Sequence, residues 1–484
     1  MIRLPSIASA SALGILTIPL GACAGYQHYQ PAPLAPLDEA RAHSARRLDD
    51  PALAHLLAAH GVPANDTAWD ARQLAIAALY FRADVAEAQH ALAAARAGEI
   101  AAGVRPYPSV TATASRAAQA DGGHSTPWSF SLVTGFTFER GGKRNARIAR
   151  ARAATFAARL RLESTAWREA QDARASSVAA LGSDADLRDA RAEMAQLRTV
   201  LDLIRARYAE GQIGRADLAR TVADVQTSAV AATLAQRARS DARAALARAL
   251  AVPRHEVDRL VLRPDPRSAC VAADSLPIDT LDVLALRMRP DVGVALADYT
   301  VAESDLRVQI AQQYPDVALG PGIGWAQGVG QWMLSLGLPG LPVDRARGPI
   351  AGATARRAVQ AERVRVVQDA ALAAVDSSVA ACRSANREIA ATDSLVAASH
   401  ERLVLTRAAY QRGEIGRTAV ALAELEWMRA GRARHQAVQR RRAAGVGLED
   451  AAGMWFSGAP IDWQDLIMPD DAMNPRKDRV DGSE

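Results

Sequence analysis

Lysine is almost missing from this 484-residue chain. Only Lys143 and Lys477 occur, so arginine supplies nearly all of the 58 basic residues. Cysteine is scarce, at three residues, which excludes a disulfide-built scaffold. Aromatic residues make up only 5%, the net charge is a modest +5, and no dense basic patch carries interleaved aromatics. A nucleic-acid partner is therefore excluded. Catalytic signatures are missing too: there is no Walker loop, no Gly-x-Ser-x-Gly elbow and no His-Glu-x-x-His. The nine histidines are scattered, and none pairs at metal-ligand spacing. Cys270 and Cys382 also lack such partners, and Cys382 reads as a small residue packed within a helical tract. No enzyme, cofactor or resident metal is expected. What is abundant is apolar residue, at 49%, too much for a disordered chain. Rich in alanine and arginine and poor in aromatics, the chain suits long helices with thin packing.

The N-terminus is an address. Arg3 is followed by an apolar stretch from Leu4 to Leu20, too short for a spanning helix and typical of a secretory signal. It ends in Leu20-Gly21-Ala22-Cys23, which resembles the bacterial lipobox, and that resemblance implies lipidation at Cys23. Ala24, rather than aspartate, then implies the outer membrane as destination. From Gly25 to about Pro51 the chain has Pro31, Pro33 and Pro36 and little periodicity, and it reads as an extended tether.

The remainder is a duplication. Leu74, Ala78, Leu79, Arg82, Asp84 and Val85 recur 207 positions later as Leu281, Ala285, Leu286, Arg289, Asp291 and Val292. Tyr107-Pro108 recurs as Tyr314-Pro315 at the same offset. Tyr208, Gly211, Ile213, Gly214 and Arg215 recur 202 positions later as Tyr410, Gly413, Ile415, Gly416 and Arg417. Each copy holds a helix, a short patterned region and a very long helical tract. Proline is absent from Trp128 to Val252 and from Ile350 to Ala459. A Gly-x-Ile-Gly element divides each tract into two antiparallel arms, with Gly182 a candidate interruption of the first. Leu187, Ala190, Met194, Leu197, Leu201, Ile204 and Tyr208 keep a 3.5-residue period, as a coiled-coil seam requires. The second copy keeps it with more polar residues, among them Thr392, Ser399 and Thr406.

Between the helices the period falls to two. Phe130, Leu132, Phe136 and Phe138 share one face of a strand. So do Val317, Leu319, Pro321, Ile323 and Trp325, and then Trp332, Leu334, Leu336 and Leu338. The strand from Val110 to about Arg116 turns mostly alanine outward. Segments near ten residues suit tilted transmembrane β-strands. Two hairpins give four strands, open edges cannot sit in lipid, and barrels begin near eight strands. One chain therefore cannot close a barrel. Three copies would supply twelve strands, and two or four copies satisfy the same arithmetic.

The lipobox, the duplicated helix–hairpin–long-helix unit and the paired Tyr-x-x-Gly-x-Ile-Gly elements together resemble the TolC-like outer-membrane efflux factor family over nearly the whole mature chain. The resemblance implies an α+β membrane protein: a homotrimer with a twelve-stranded β-barrel on a periplasmic α-helical coiled-coil tunnel. It also implies an exit duct of a tripartite pump, with a periplasmic adaptor (membrane fusion) protein and an inner-membrane transporter as partners. The Phe138-to-Ile148 run, containing Gly141 and Gly142, resembles the heavy-metal-efflux branch. Those glycines permit a bend from strand to helix, and Pro349 suits a first helical turn in the second copy. A duct for secreted polypeptides is the alternative on the same fold. A non-channel periplasmic coiled-coil lipoprotein is the alternative on another.

The expected organisation is a signal peptide at 1–22, a lipidated tether at 23–70, repeat 1 at 71–252, a linker at 253–276, repeat 2 at 277–450 and a partly disordered extension at 451–484. The hairpins are expected at about 109–139 and 316–339. Gly211, Ile213, Gly214 and Arg215, with Gly413, Ile415, Gly416 and Arg417, mark exposed tips, where the family resemblance implies adaptor docking. Asp224 and Glu426 are equivalent positions, and Glu424 replaces Val222 of the first copy. Threefold symmetry would gather these acids into a selectivity ring if their faces point inward. Ordinary pairing with arginine on an outer face is the competing reading.

Overall fold

The computed structural model describes residues 29–62, 68–116, 128–264, 270–326, 329–337 and 343–456. Cys23, residues 117–127, Leu338 and the extension beyond 456 lie outside the described residues. The chain divides into two compact units, Met1–Arg46 and Arg47–Glu484.

In the first unit, helix α1 (Pro36–Ser44) replaces part of the expected extended tether. Proline opens it, Asp38 and Glu39 occupy its first turn, and Arg41 pairs with Asp38. It buries no residue, so local signals alone account for it.

The second unit begins well before residue 71. Helix α2 (Pro51–Ala59) buries Leu53 and Leu57 in the main core. Strand β1 (Ala68–Trp69) precedes α3 (Ala71–Phe81). Asp70 and Gln73 close a reciprocal capping box at its start. Helix α4 (Ala83–Ala102) leads to β2 (Ser109–Arg116) and β3 (Trp128–Phe138). Then come α5 (Lys143–Ala209) and α6 (Arg215–Leu250), of 67 and 36 residues. At ~1.5 Å per residue α5 is roughly 100 Å long. The linker holds α7 (Arg254–Asp258), β4 (Val261–Leu262), which pairs with β1 in parallel, and α8 (Cys270–Ser275). The second copy repeats the plan with α9 (Ile278–Met288), α10 (Pro290–Gln312), β5 (Val317–Ala326), β6 (Val329–Gly337), α11 (Val343–Gln411) and α12 (Arg417–Ala452). Among the described residues, no helix is long and apolar enough to cross a membrane.

The duplication is visible in atomic detail. Arg82 and Arg289 take the same extended conformation, each breaking a helix in two. The Arg82 guanidinium donates to the carbonyl of Arg248, and that of Arg289 donates to the carbonyl of Asp450. Both carbonyls end a second arm, where the helix dipole favours a cation. Each arm then closes on a left-handed residue, Ala251 in the first copy and Gly453 in the second.

Three expectations need correction. Gly182 does not interrupt α5. It is buried, and a Cβ there would come within 3.3 Å of Gln439 Cγ on α12, so its role is close packing. Pro349 lies inside α11 rather than in its first turn. The helix continues through it, since only one hydrogen bond is lost near the start. Cys270 and Cys382 form a disulfide, with Cα atoms 5.1 Å apart. It ties the linker helix α8 to α11 across 112 positions, a partner no local spacing could reveal.

Candidate functional site

The four central strands form one antiparallel sheet in the order β2-β3-β5-β6. Alternation gives it two unlike faces. Phe130 lies opposite Trp325, Leu132 opposite Ile323, and Ile323 opposite Trp332, so one face is a continuous apolar band. These side chains are exposed in the single chain, Trp332 at 90%. The other face carries Ser109, Thr113, Ser131, Gly320, Gln331 and Ser335, with Val133, Val329 and Met333 among them, and is mostly small or polar and without charge. An apolar face for lipid and a polar face for water is the pattern of a membrane barrel. Among the described residues, the edge strands β2 and β6 are each paired on one side only.

Where the sheet meets the long helices, Gly141 and Gly142 both hold positive φ, at 66° and 71°. A Cβ on Gly141 would lie 2.4 Å from the Tyr314 ring. Asp316 then joins the copies, accepting from Lys143 Nζ at 2.8 Å and from the Arg140 amide.

The two tips are near-copies. The Gly211 and Gln212 amides donate to the carbonyls of Tyr208 and Arg207, at 3.0 and 2.9 Å. Those of Gly413 and Glu414 donate to Tyr410 and Ala409, at 2.9 and 3.0 Å. This is the Schellman closure, with Gly211 and Gly413 left-handed at φ 70° and 77°. Gly214 and Gly416 then cap the next helix with matching extended angles. Nothing approaches a Cβ built on any of the four, so backbone conformation alone explains the two left-handed glycines. Ile213 and Ile415 are half-buried rather than fully exposed. Arg215 and Arg417 are exposed first residues of α6 and α12, where a helix N-terminus disfavours a cation.

Asp224 is exposed on α6. Glu424 accepts from Arg407 of α11 at 2.7 Å and from Gln196 of α5 at 3.1 Å. Glu426 pairs with Arg402 of α11 at 2.8 Å. Both glutamates thus hold the α11–α12 hairpin together in the single chain. Glu193 of α5 likewise receives Arg429 and Arg432 of α12, at 2.8 and 3.0 Å. Around these pairs Leu197, Leu201, Val225 and Leu425 form a small apolar cluster. The polar seam of the second copy costs little, because the Thr392, Ser399 and Thr406 hydroxyls donate to carbonyls of their own helix.

The buried junction of the copies carries almost no sequence signal. Arg174 and Glu449, at 4% and 1% exposure, pair within the packed helices. The Arg174 guanidinium also lies 4.6 Å from the centroid of the Trp455 ring. Trp167 Nε1 donates to Asp450 at 2.9 Å. Only the presence of tryptophan beside a helix end hints at it. Among the described residues, no group of three or more His, Cys, Asp or Glu could hold a metal ion.

Comparison with known proteins fits this geometry. The family described as "Outer membrane efflux protein" matches residues 74–252 and 282–454, one segment for each copy. No curated protein matches the chain by sequence. Among solved structures, the outer-membrane channel OprN is similar at 19% identity and TM-score 0.65, over 80% of this chain and 91% of that one. VceC, an outer membrane protein of Vibrio cholerae, is similar at 20% and 0.62, over 80% and 96%. CusC is similar at 17% and 0.62, over 80% and 92%. These likenesses show a shared TolC-like fold. With the matches covering both repeats, the chain belongs to the outer membrane efflux protein family and is an outer-membrane efflux channel rather than an enzyme.

Proposed function

We propose that three copies close a twelve-stranded barrel on a periplasmic helical tunnel and act as the exit duct of a tripartite pump. The observation that carries this is the two-faced sheet with two unpaired edges, which no single chain can close in lipid. Cys23 anchors each copy by lipid. The inner-membrane transporter supplies energy and selects the solute, drug or metal cation, and the periplasmic adaptor seats on the tips.

The tips support the docking role through what the turn itself does not need. Its closure uses glycine and backbone bonds, yet isoleucine and arginine recur in both copies. Burying the remaining surface of each isoleucine gains part of ~1.5–3 kcal/mol on binding. Exchange of Ile213 and Ile415 for aspartate is expected to abolish export while trimer, anchor and surface level stay normal. Survival of both export and adaptor cross-linking would reduce the tips to plain turns. Intact-mass analysis is expected to show an acylated Cys23 at the mature N-terminus, and a free cysteine there would remove the anchor from the account.

A further inference from the structure

The long arms pack in the order α6–α5–α12–α11. The seam between α5 and α12 therefore lies inside one chain's wall, away from both of its edges. A groove runs along this seam in two stretches. The first, of about 540 Å³, is bounded by α5, the α9–α10 break and α12. The second, of about 550 Å³, continues from it along α5 and α12 and shares Ala175, Ala443 and Val446. The groove opens away from the two apolar cores. Ala175 and Ala179 lie across α5 from the core residues Ala173 and Ala180. Ala443 and Val446 lie across α12 from the core residues Leu448 and Ala451.

The first stretch is charged in a way that packing does not require. Its lining holds Asp172, Asp291 and Asp450 against Arg168 and Arg289, an excess of acid. Arg289 is held by Asp291 at 2.6 and 3.0 Å, and Arg168 reaches Glu169 at 3.4 Å. Asp450 accepts from the neutral indole of Trp167 at 2.9 Å. Asp172 has neither an ion pair nor a hydrogen bond among the described residues. Gln171, 6% exposed, lines the same stretch and accepts from Arg174 at 3.1 Å, yet its Nε2 is buried with no hydrogen-bond partner. A buried donor left unpaired costs free energy that a bound acceptor recovers. The duplication is the internal control. At the 202-residue offset of the tips, Gln171, Asp172 and Asp450 correspond to Ala373, Ala374 and Arg248. The helix packing common to both copies does not call for these three side chains.

We propose that the α5–α12 groove binds a small organic cation with an apolar body and a hydrogen-bond acceptor. Asp172 and Asp450 attract the cationic group, Trp167 and Val446 offer apolar surface, and the Gln171 amide supplies the unused donor. The volume of the first stretch is that of a small-molecule site. The site is complete in one chain. That its occupant is a solute in transit rests on the proposed duct. The side of the wall carrying the groove is free of the core helices α2, α3, α8 and α9, so it is the side able to face a bore.

The test is equilibrium dialysis of the purified native assembly, with empty detergent micelles as blank. The probes are procaine, an aromatic ester carrying an ammonium, and benzocaine, a neutral ester without it. Procaine is expected to bind saturably, one molecule per chain, and roughly tenfold more tightly than benzocaine. Asp172→Asn is expected to lose most of that preference. Gly447→Leu adds bulk where a Cβ meets nothing within 4 Å, and it is expected to remove binding while the assembly stays intact. If that variant fails to assemble, Asp172→Asn, which keeps the side-chain size, still decides. Equal binding of both esters, or procaine binding unchanged in Asp172→Asn, would overturn the site. No procaine binding in an assembly that conducts would overturn it and leave the duct standing. Procaine binding with the expected variant losses in an assembly that does not conduct would uphold the site and remove the transit role.

Discussion

Ala251 and Gly453 occupy matching left-handed positions at the ends of α6 and α12, and the difference between them has consequences. A Cβ at Gly453 would lie 2.6 Å from the Arg289 amide nitrogen and 2.7 Å from its Cα, both backbone atoms. Gly453→Ala is expected to destabilise by roughly 2 kcal/mol or more, from left-handed strain plus the clash. Ala251→Gly relieves strain of about 1 kcal/mol with no clash to remove. Inactivation half-lives at fixed elevated temperature should therefore move in opposite directions, and equal half-lives would contradict the assignment. Asp282 is a second residue-scale test. Burial, then the charges of Asp376 and Asp279, push its carboxyl pKa up, and Oδ1 is buried without a hydrogen-bond partner. A raised carboxyl pKa means the folded chain holds the proton more tightly. The penalty is present above the folded value and fades as pH falls through it. Asp282→Asn is thus expected to stabilise the protein at neutral pH, with the gain vanishing in acid. A pH-independent effect would assign it to packing instead.

At the scale of elements, the long helices, the two hairpins and the paired tips are legible in the sequence. Their signals are periodic or duplicated: a seam of period 3.5, strands of period two, a Gly-x-Ile-Gly repeated at a fixed offset. What stays hidden depends on distant partners. Cys382 reads as a packed small residue because Cys270 lies 112 positions away. Gly182 reads as a break because only Gln439 of another helix explains it. Arg174 and Glu449 carry no local sign that they will meet. The disulfide is expected to matter at this scale, because it closes a loop holding α9, α10, β5, β6 and the first part of α11. Restraining a loop of that length stabilises by about 4–5 kcal/mol in the chain-entropy account. Replacing both cysteines with serine should shorten the inactivation half-life strongly without altering the strands. An unchanged half-life would show that α8 is held by its other contacts, among them Asn386 with Asp274.

For the whole molecule, the acids of the lower arms divide into two kinds. Glu424 and Glu426 are engaged by Arg407 and Arg402, so their charge is locally balanced. Asp224 is the exposed one. In a threefold assembly Asp224→Asn is expected to weaken cation preference more than joint replacement of Glu424 and Glu426 by glutamine. That replacement should act mainly by loosening the α11–α12 hairpin. Reversal potentials in a salt gradient decide between them, and a larger shift from the glutamates would place those side chains on the conduction path. The claim on which everything rests is that copies of this chain enclose a continuous water path through a bilayer. Planar-bilayer recording of the detergent-extracted native assembly measures it directly. Discrete conductance steps are expected from a particle whose mass is that of three chains. Silent membranes containing the correctly folded, inserted trimer would contradict it.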